Sequence, residues 1–250
     1  MISKIYKIAD KTIQISSLFD DVHKLCREYL SYDDVDFSVS SSEKDIDFER
    51  EKSAQEDAMQ GRRVINFTDS YLETLVIYRK IAEQMIEYNT LLFHGSAVAV
   101  DGRAYLFCAQ SGTGKSTHTR LWREYFKDKA VMVNDDKPLL RLDGGCVQVC
   151  GTPWNGKHRL GSNISVELGA ICFLDRAQEN HIEPVPSYSA LPLLLRHCYK
   201  STDKSKLVHT LELLSEIKNR VDLYSLHCNM STDAVITAYN AMKGNAYEAL

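Results

Sequence analysis

Long apolar runs are missing from this chain. No stretch approaches the ~18 residues that a membrane-spanning helix needs. The start, Met1-Ile2-Ser3-Lys4-Ile5-Tyr6, has neither the apolar core nor the cleavage site of a leader peptide. Paired cysteines are missing too. The seven cysteines (Cys26, Cys108, Cys146, Cys150, Cys172, Cys198 and Cys228) include no C-x-x-C, and no histidine stands at ligand spacing from any pair. Structural zinc wants tight pairs and four ligands, so this pattern argues against it. Most of these thiols sit in apolar runs, where they behave as small hydrophobes. Positive charge is not in surplus: the net charge is −4, which disfavours a dedicated nucleic-acid surface. Internal repeats are absent. The expectation is a reduced, cytoplasmic protein with no membrane and no nucleic-acid partner. At 250 residues, 44% apolar and 26% charged, the chain fits one large domain or a domain with a small appendage.

What is present is concentrated in one stretch, Ala109-Gln110-Ser111-Gly112-Thr113-Gly114-Lys115-Ser116-Thr117. It follows the strand-like Ala104-Tyr105-Leu106-Phe107-Cys108. It leads into a helical run with Leu121, Trp122, Tyr125 and Phe126 spaced for one buried face. Strand, glycine loop, Lys-Ser and helix is the layout of a phosphate-binding loop of the Walker A kind, although Ala109 stands where that pattern has Gly. Gly112 and Gly114 allow turns that a Cβ would block, so several N–H groups can point into one cavity. The helix start adds its positive dipole end. Lys115 would bring charge to the β- and γ-phosphates, and the Ser116 hydroxyl suits Mg²⁺. Ser111, Gly112, Thr113, Gly114, Lys115, Ser116 and Thr117 are therefore the candidate nucleotide-binding residues, with ATP and Mg²⁺ as cofactors.

Residues 91–100 form an apolar run, and Asp101-Gly102 is a hairpin turn signal before the strand that enters the loop. An antiparallel partner for that strand sets this chain apart from folds whose neighbouring strands are parallel. A two-residue turn pairs Val100 with Arg103. Running back along both strands sets His94 opposite Ala109, beside the phosphates. Downstream, the short buried strand Ala130-Val131-Met132-Val133 ends in Asn134-Asp135-Asp136-Lys137-Pro138. Acids at such a strand end are where a metal ligand and a general base are wanted. Asp135 is the candidate base and Asp136, with Ser116, the candidate metal ligand; on sequence grounds the two acids are interchangeable. A second hairpin follows, with Asp143-Gly144-Gly145 as a three-residue turn pairing Leu142 with Cys146. It returns the loop from Gly151 to Arg159 towards the acids, where Lys157 or Arg159 would neutralise charge on the transferring phosphoryl group.

The first 88 residues read as a small α+β part. Ile13 and Ile15, then Val35, Phe37 and Val39, alternate like strands, and residues 21–30 suit a short helix. Residues 40–62 read as an exposed, poorly specified segment, and residues 63–67 as one more strand. Ser70 and Glu73 form a capping box for a helix through Glu87, with Asn89 as its C-cap. After a buried strand at 167–174, helices are expected at 191–199, 206–220 and 231–242, with a strand at 221–228. His197, His209 and His227 read as structural or exposed.

Leu92-Phe93-His94-Gly95, then Gln110-Ser111-Gly112-Thr113-Gly114-Lys115-Ser116, then Asn134-Asp135-Asp136, resembles the catalytic domain of HPr kinase/phosphorylase, of the superfamily of ATP-dependent phosphoenolpyruvate carboxykinase. The similarity is clearest over residues 91–176. It implies an α/β, P-loop kinase fold with a mixed sheet and antiparallel hairpins over residues 89–250, beside the N-terminal α+β part at 1–88. It implies site roles for His94, Lys115, Ser116, Asp135 and Asp136. Thr117 stands where that family has Glu, and its downstream Arg-Gly segment is not recognisable. The expected function is an ATP- and Mg²⁺-dependent phosphotransferase acting on an unidentified hydroxyl acceptor, in a protein, a peptide or a small molecule. The alternatives are a non-catalytic nucleotide-binding sensor or scaffold and, more distantly, a phosphorolytic phosphatase. A homo-oligomer stays open.

Overall fold

Alternating apolar residues give the N-terminal part its first elements. In the computed structural model, which describes residues 1–59, 61, 64–110 and 112–244, the chain divides into two units, Met1–Gln84 and Met85–Leu250. In the first, β1 (Ile2–Ile8) and β2 (Lys11–Ser17) pair antiparallel, and β3 (Phe37–Ser40) lies parallel to β2. Tyr6, Ile8, Ile13 and Ile15 are fully buried. The helix expected over 21–30 is shorter: α1 (Asp21–Leu25), then a 3-10 turn, Arg27–Tyr29.

Three expectations for this unit are overturned. The segment read as poorly specified holds a 17-residue helix, α2 (Glu43–Met59); its last residues, Gln60 and Arg62, lie outside the described residues. α2 starts at a reciprocal box, in which the Ser42 N–H donates to Asp45 Oδ2 (2.9 Å) and the Asp45 N–H to Ser42 Oγ (3.4 Å). Ion pairs fasten it to α3 (Asp69–Met85): Arg79–Glu49 at 2.8 Å, Lys80–Asp45 at 2.9 Å and Arg50–Asp69 at 2.6 Å. A helix held by charge shows no apolar period to a sequence reading. Residues 64–67 are not a strand; Arg63 lies outside the described residues. Glu73 is no cap either. It is fully buried and accepts the amides of Leu18 and Phe19, while Thr68 Oγ1 accepts the Tyr71 amide at the helix start. After α3 a 3-10 turn, Ile86–Tyr88, ends at Asn89 with φ 53°.

The second unit is a curled mixed sheet. The strands are β4 (Thr90–Leu92), β5 (Ser96–Val100), β6 (Arg103–Cys108), β7 (Ala130–Asn134), β8 (Leu139–Asp143), β9 (Cys146–Cys150), β10 (Ser165–Arg176), β11 (His181–Pro184) and β12 (Asp222–Cys228). Their order is β4-β8-β9-β10-β6-β5-β7, with β12 between β10 and β11. β10 is parallel to β6 and β12; its first residues pair antiparallel with β9, which curls the sheet. Alternation along β5 and β6 feeds two cores. Ala97, Ala99, Leu106 and Cys108 meet α5 (Ser187–His197) and α6 (Lys204–Arg220). Val98, Val100, Tyr105 and Phe107 meet Trp122 of α4 (Lys115–Phe126) and Val235 and Ala238 of α7 (Thr232–Met242). Tyr125, expected on the buried face of α4, is 45% exposed. The second hairpin also differs. Asp143 pairs with Cys146, so the turn is the two residues Gly144-Gly145, both at positive φ, which that tight turn requires. Among the described residues no helix is long and apolar enough to cross a membrane.

Candidate functional site

The apolar run at 91–100 is not one strand. It breaks after β4 and restarts at β5, and the three residues between are clamped on both sides. The amides of Phe93 and Gly95 donate to the carbonyls of Pro138 and Asp136 (3.0 and 3.1 Å). On the other side the His94 amide donates to the His197 carbonyl at the end of α5 (2.7 Å), and the Tyr199 amide to the Leu92 carbonyl (2.8 Å). Gly95 allows this close passage: a Cβ there would lie 2.7 Å from Leu106 Cδ1 and 3.1 Å from the Phe107 carbonyl oxygen. β5 and β6 keep the expected register, Val100 opposite Arg103 through Ser96 opposite Phe107. The imidazole of His94 then reaches the Lys115 ammonium at 3.2 Å through Nε2.

Lys115 is the first residue of α4. Gly112 and Gly114 before it adopt φ of 81° and 123°, a region open to glycine at little cost. The Lys115 ammonium also donates to the Ala109 carbonyl (2.8 Å). Burial pulls its pKa down, opposed in part by Asp136. Ser116 is exposed and Thr117 half-buried one and two residues into the helix; Ser111 lies outside the described residues.

The two acids have unlike surroundings. Asn134 Oδ1 accepts the amides of Asp136 and Lys137 (2.9 and 2.6 Å), a local turn that splits the side chains. Asp135 is buried, and its carboxylate accepts the Gly156 amide at 2.6 Å. Burial raises its pKa against the amides of Gly156 and Leu160. Asp136 faces His94, Oδ1 to Nδ1 at 3.2 Å. Burial acts to raise its pKa too, but the His94 contact and the charges of Lys137 and Lys115 outweigh it and hold the carboxyl below its ordinary value.

Lys157 and Arg159 lie on the exposed part of the returning loop, and neither makes an ion pair with the acids. The loop itself closes on the site, since Asn134 Nδ2 donates to the Thr152 carbonyl (3.2 Å) and Thr152 Oγ1 to the Lys137 carbonyl (2.8 Å). Three residues join the cluster that sequence reasoning did not place there. Lys137 Nζ stands 2.7 Å from His94 Nδ1. Buried His197 supplies the carbonyl that holds His94, and burial brings its own pKa to about 4. Arg176, ending β10, donates to the carbonyls of Gly112 and Thr113. Its place follows from the sheet order: β10 runs parallel beside β6, and ligand groups gather at the carboxyl ends of such strands.

The donors suit Mg²⁺ only in company. Among the described residues no group of three or more His, Cys, Asp or Glu could hold a metal alone. Asp136 and the Ser116 hydroxyl offer two oxygens, and Mg²⁺ is usually held by one or two carboxylates plus substrate phosphates.

A family model described as SynChlorMet cassette protein ScmC matches residues 62–249. Among solved structures, the Hpr(Ser) kinase/phosphatase from Coxiella burnetii is similar with a TM-score of 0.35 and 12% identity, over 61% of this chain and 99% of that one. No curated protein matches the chain.

Proposed function

This chain belongs to the SynChlorMet cassette protein ScmC family, and from its site geometry we propose that it is an ATP- and Mg²⁺-dependent phosphotransferase acting on a hydroxyl acceptor. The observation that carries this reading is the line from Lys115 through His94 to Asp136, at the end of a glycine loop that opens a helix. The loop amides and the α4 dipole would bind the phosphates, and Lys115 would hold the β- and γ-phosphates. Bound between Asp136, Ser116 and the phosphates, Mg²⁺ would neutralise charge there. Asp135 would accept the proton of the attacking hydroxyl. A base works best with its pKa raised towards the working pH, and burial shifts Asp135 in that direction. A serine of a protein or peptide and a small-molecule alcohol both supply such a hydroxyl.

One observation favours a second reading, a nucleotide sensor. Arg176 ties the glycine loop to the end of β10, a route by which an occupied loop would move a strand without any acceptor.

Calorimetry with Mg-ATP on the full chain tests both. Binding is expected with Mg²⁺ present and weaker without it, and Lys115→Ala should abolish most of it. No binding to the unaltered protein would end the nucleotide reading in either form.

A further inference from the structure

We propose that Lys137 is a catalytic residue: its ammonium, opposite Lys115 across the His94 imidazole, holds the oxygens of the phosphoryl group during transfer. The proposal rests on the phosphotransferase reading above.

Its first support is position. The Lys137 amide is bonded to Asn134 Oδ1 (2.6 Å) and its carbonyl to Thr152 Oγ1 (2.8 Å), so the backbone is pinned where the acids are. From that anchor the side chain turns back, placing Nζ 2.7 Å from His94 Nδ1 and 3.7 Å from Asp136 Oδ2. Lys115 Nζ stands 3.2 Å from the other ring nitrogen. The two ammoniums are thus no farther apart than one imidazole and two hydrogen bonds, close enough for a phosphoryl group lying against the ring to meet both.

The second support is a count of donors and acceptors. A neutral imidazole offers one acceptor lone pair. In that form His94 can accept from Lys115 or from Lys137, and Asp136 competes for Nδ1 when that nitrogen carries the proton. Phosphoryl oxygens accept from both ammoniums at once. The side chain is 24% exposed, and a charge drawn from water acts more strongly on a developing charge.

In the transfer, an acceptor oxygen forms a bond to the γ-phosphorus while the bond to the β,γ-bridging oxygen breaks, its electron pair leaving with ADP. The acceptor proton passes to Asp135. Lys137 keeps its protons and contributes charge and hydrogen bonds. Lys157 and Arg159 are not needed for that role.

The test uses the full chain and slow ATP hydrolysis, with water standing in for the hydroxyl. Lys137→Met should lower kcat by ~10²–10³-fold, the loss seen on removing one such donor, while the Kd for Mg-ATP changes far less. Lys137→Arg, which keeps the charge, should recover part of the rate. A second readout needs no turnover: ADP with aluminium fluoride should bind unaltered protein much more tightly than ADP alone, and Lys137→Met should lose that gain. Thermal unfolding checks that each variant is folded; if Lys137→Met is not, Lys137→Gln takes its place in both assays. Unchanged kcat and an unchanged aluminium fluoride gain in a folded variant overturn the role of Lys137 alone. Absence of Mg-ATP binding and hydrolysis in the unaltered protein overturns the parent reading and this one with it.

Discussion

Asp135 and Asp136 are adjacent in sequence yet differ in everything around them. Asp135 is turned into the returning loop and its pKa is raised; Asp136 is turned to His94 and two lysines and its pKa is lowered. A base acts in the chemical step, whereas a metal ligand also supports nucleotide binding. Asp135→Asn should therefore leave Mg-ATP affinity nearly intact and cut turnover by ~10²–10⁴-fold. Asp136→Asn should weaken the Mg²⁺-dependent part of binding. If both variants lose hydrolysis only in proportion to affinity, the sensor reading moves ahead. The acid limb of the rate profile should also lie above the ordinary aspartate range, since the raised Asp135 must lose its proton to act. Pattern and spacing carried the reading as far as His94, Lys115 and the acidic pair. Lys137 escaped it because its side chain reverses direction at the Asn134 turn, and a local hydrogen bond of that kind leaves no periodic trace.

At the scale of elements, the informative piece is the break between β4 and β5. The run at 91–100 is apolar throughout and gives no sign that residues 93–95 leave one strand partner and join another. Gly95 marks the place only once its neighbours are known. Gly95→Ala would put a methyl group against Leu106 and the Phe107 carbonyl, and backbone cannot yield as a side-chain tip can. A cost of ~1–3 kcal/mol is expected, as for other small-to-large changes in packed sites. The variant should unfold at lower temperature and, because His94 moves with its neighbour, bind Mg-ATP more weakly. Unchanged melting and affinity would show that the crossover is not tight. α2 was misread for the opposite reason: its charges were visible but their partners on α3 were not, although Ser42 and Asp45 carried the signature of a helix start.

On the scale of the whole second unit, the β5–β6 hairpin, α4 and the late helices were legible from period and turn signals. The sheet order was not, because β10 pairs with three strands of different origin. That closed packing has an acid consequence. His118 of α4 and His197 of α5 are 3% and 9% exposed, in contact with Phe107 and Phe173 respectively. Burial lowers both pKa values from 6.5 to about 4. Between those values the unfolded chain binds protons that the folded chain refuses, so stability is full above about pH 6.5 and drains as pH falls towards 4. Each histidine can cost up to ~3 kcal/mol at the acid end, against a total of roughly 5–15 kcal/mol for a typical domain. Asp136, with its lowered pKa, loses its contribution at lower pH still; Asp135, with its raised pKa, opposes the trend, since its protonated form favours the fold. The two histidines act in the same direction, and both shifts are large. The melting temperature should therefore fall steadily from pH 7 to pH 5. His118→Gln keeps an acceptor for the Trp122 indole N–H, which bonds His118 Nε2 at 3.0 Å, and removes the titration; His197→Gln removes the titration at α5. Each variant should show a shallower slope than the unaltered protein, whatever its melting temperature at pH 7. Parallel slopes in all three proteins would mean that neither imidazole is kept neutral by the fold.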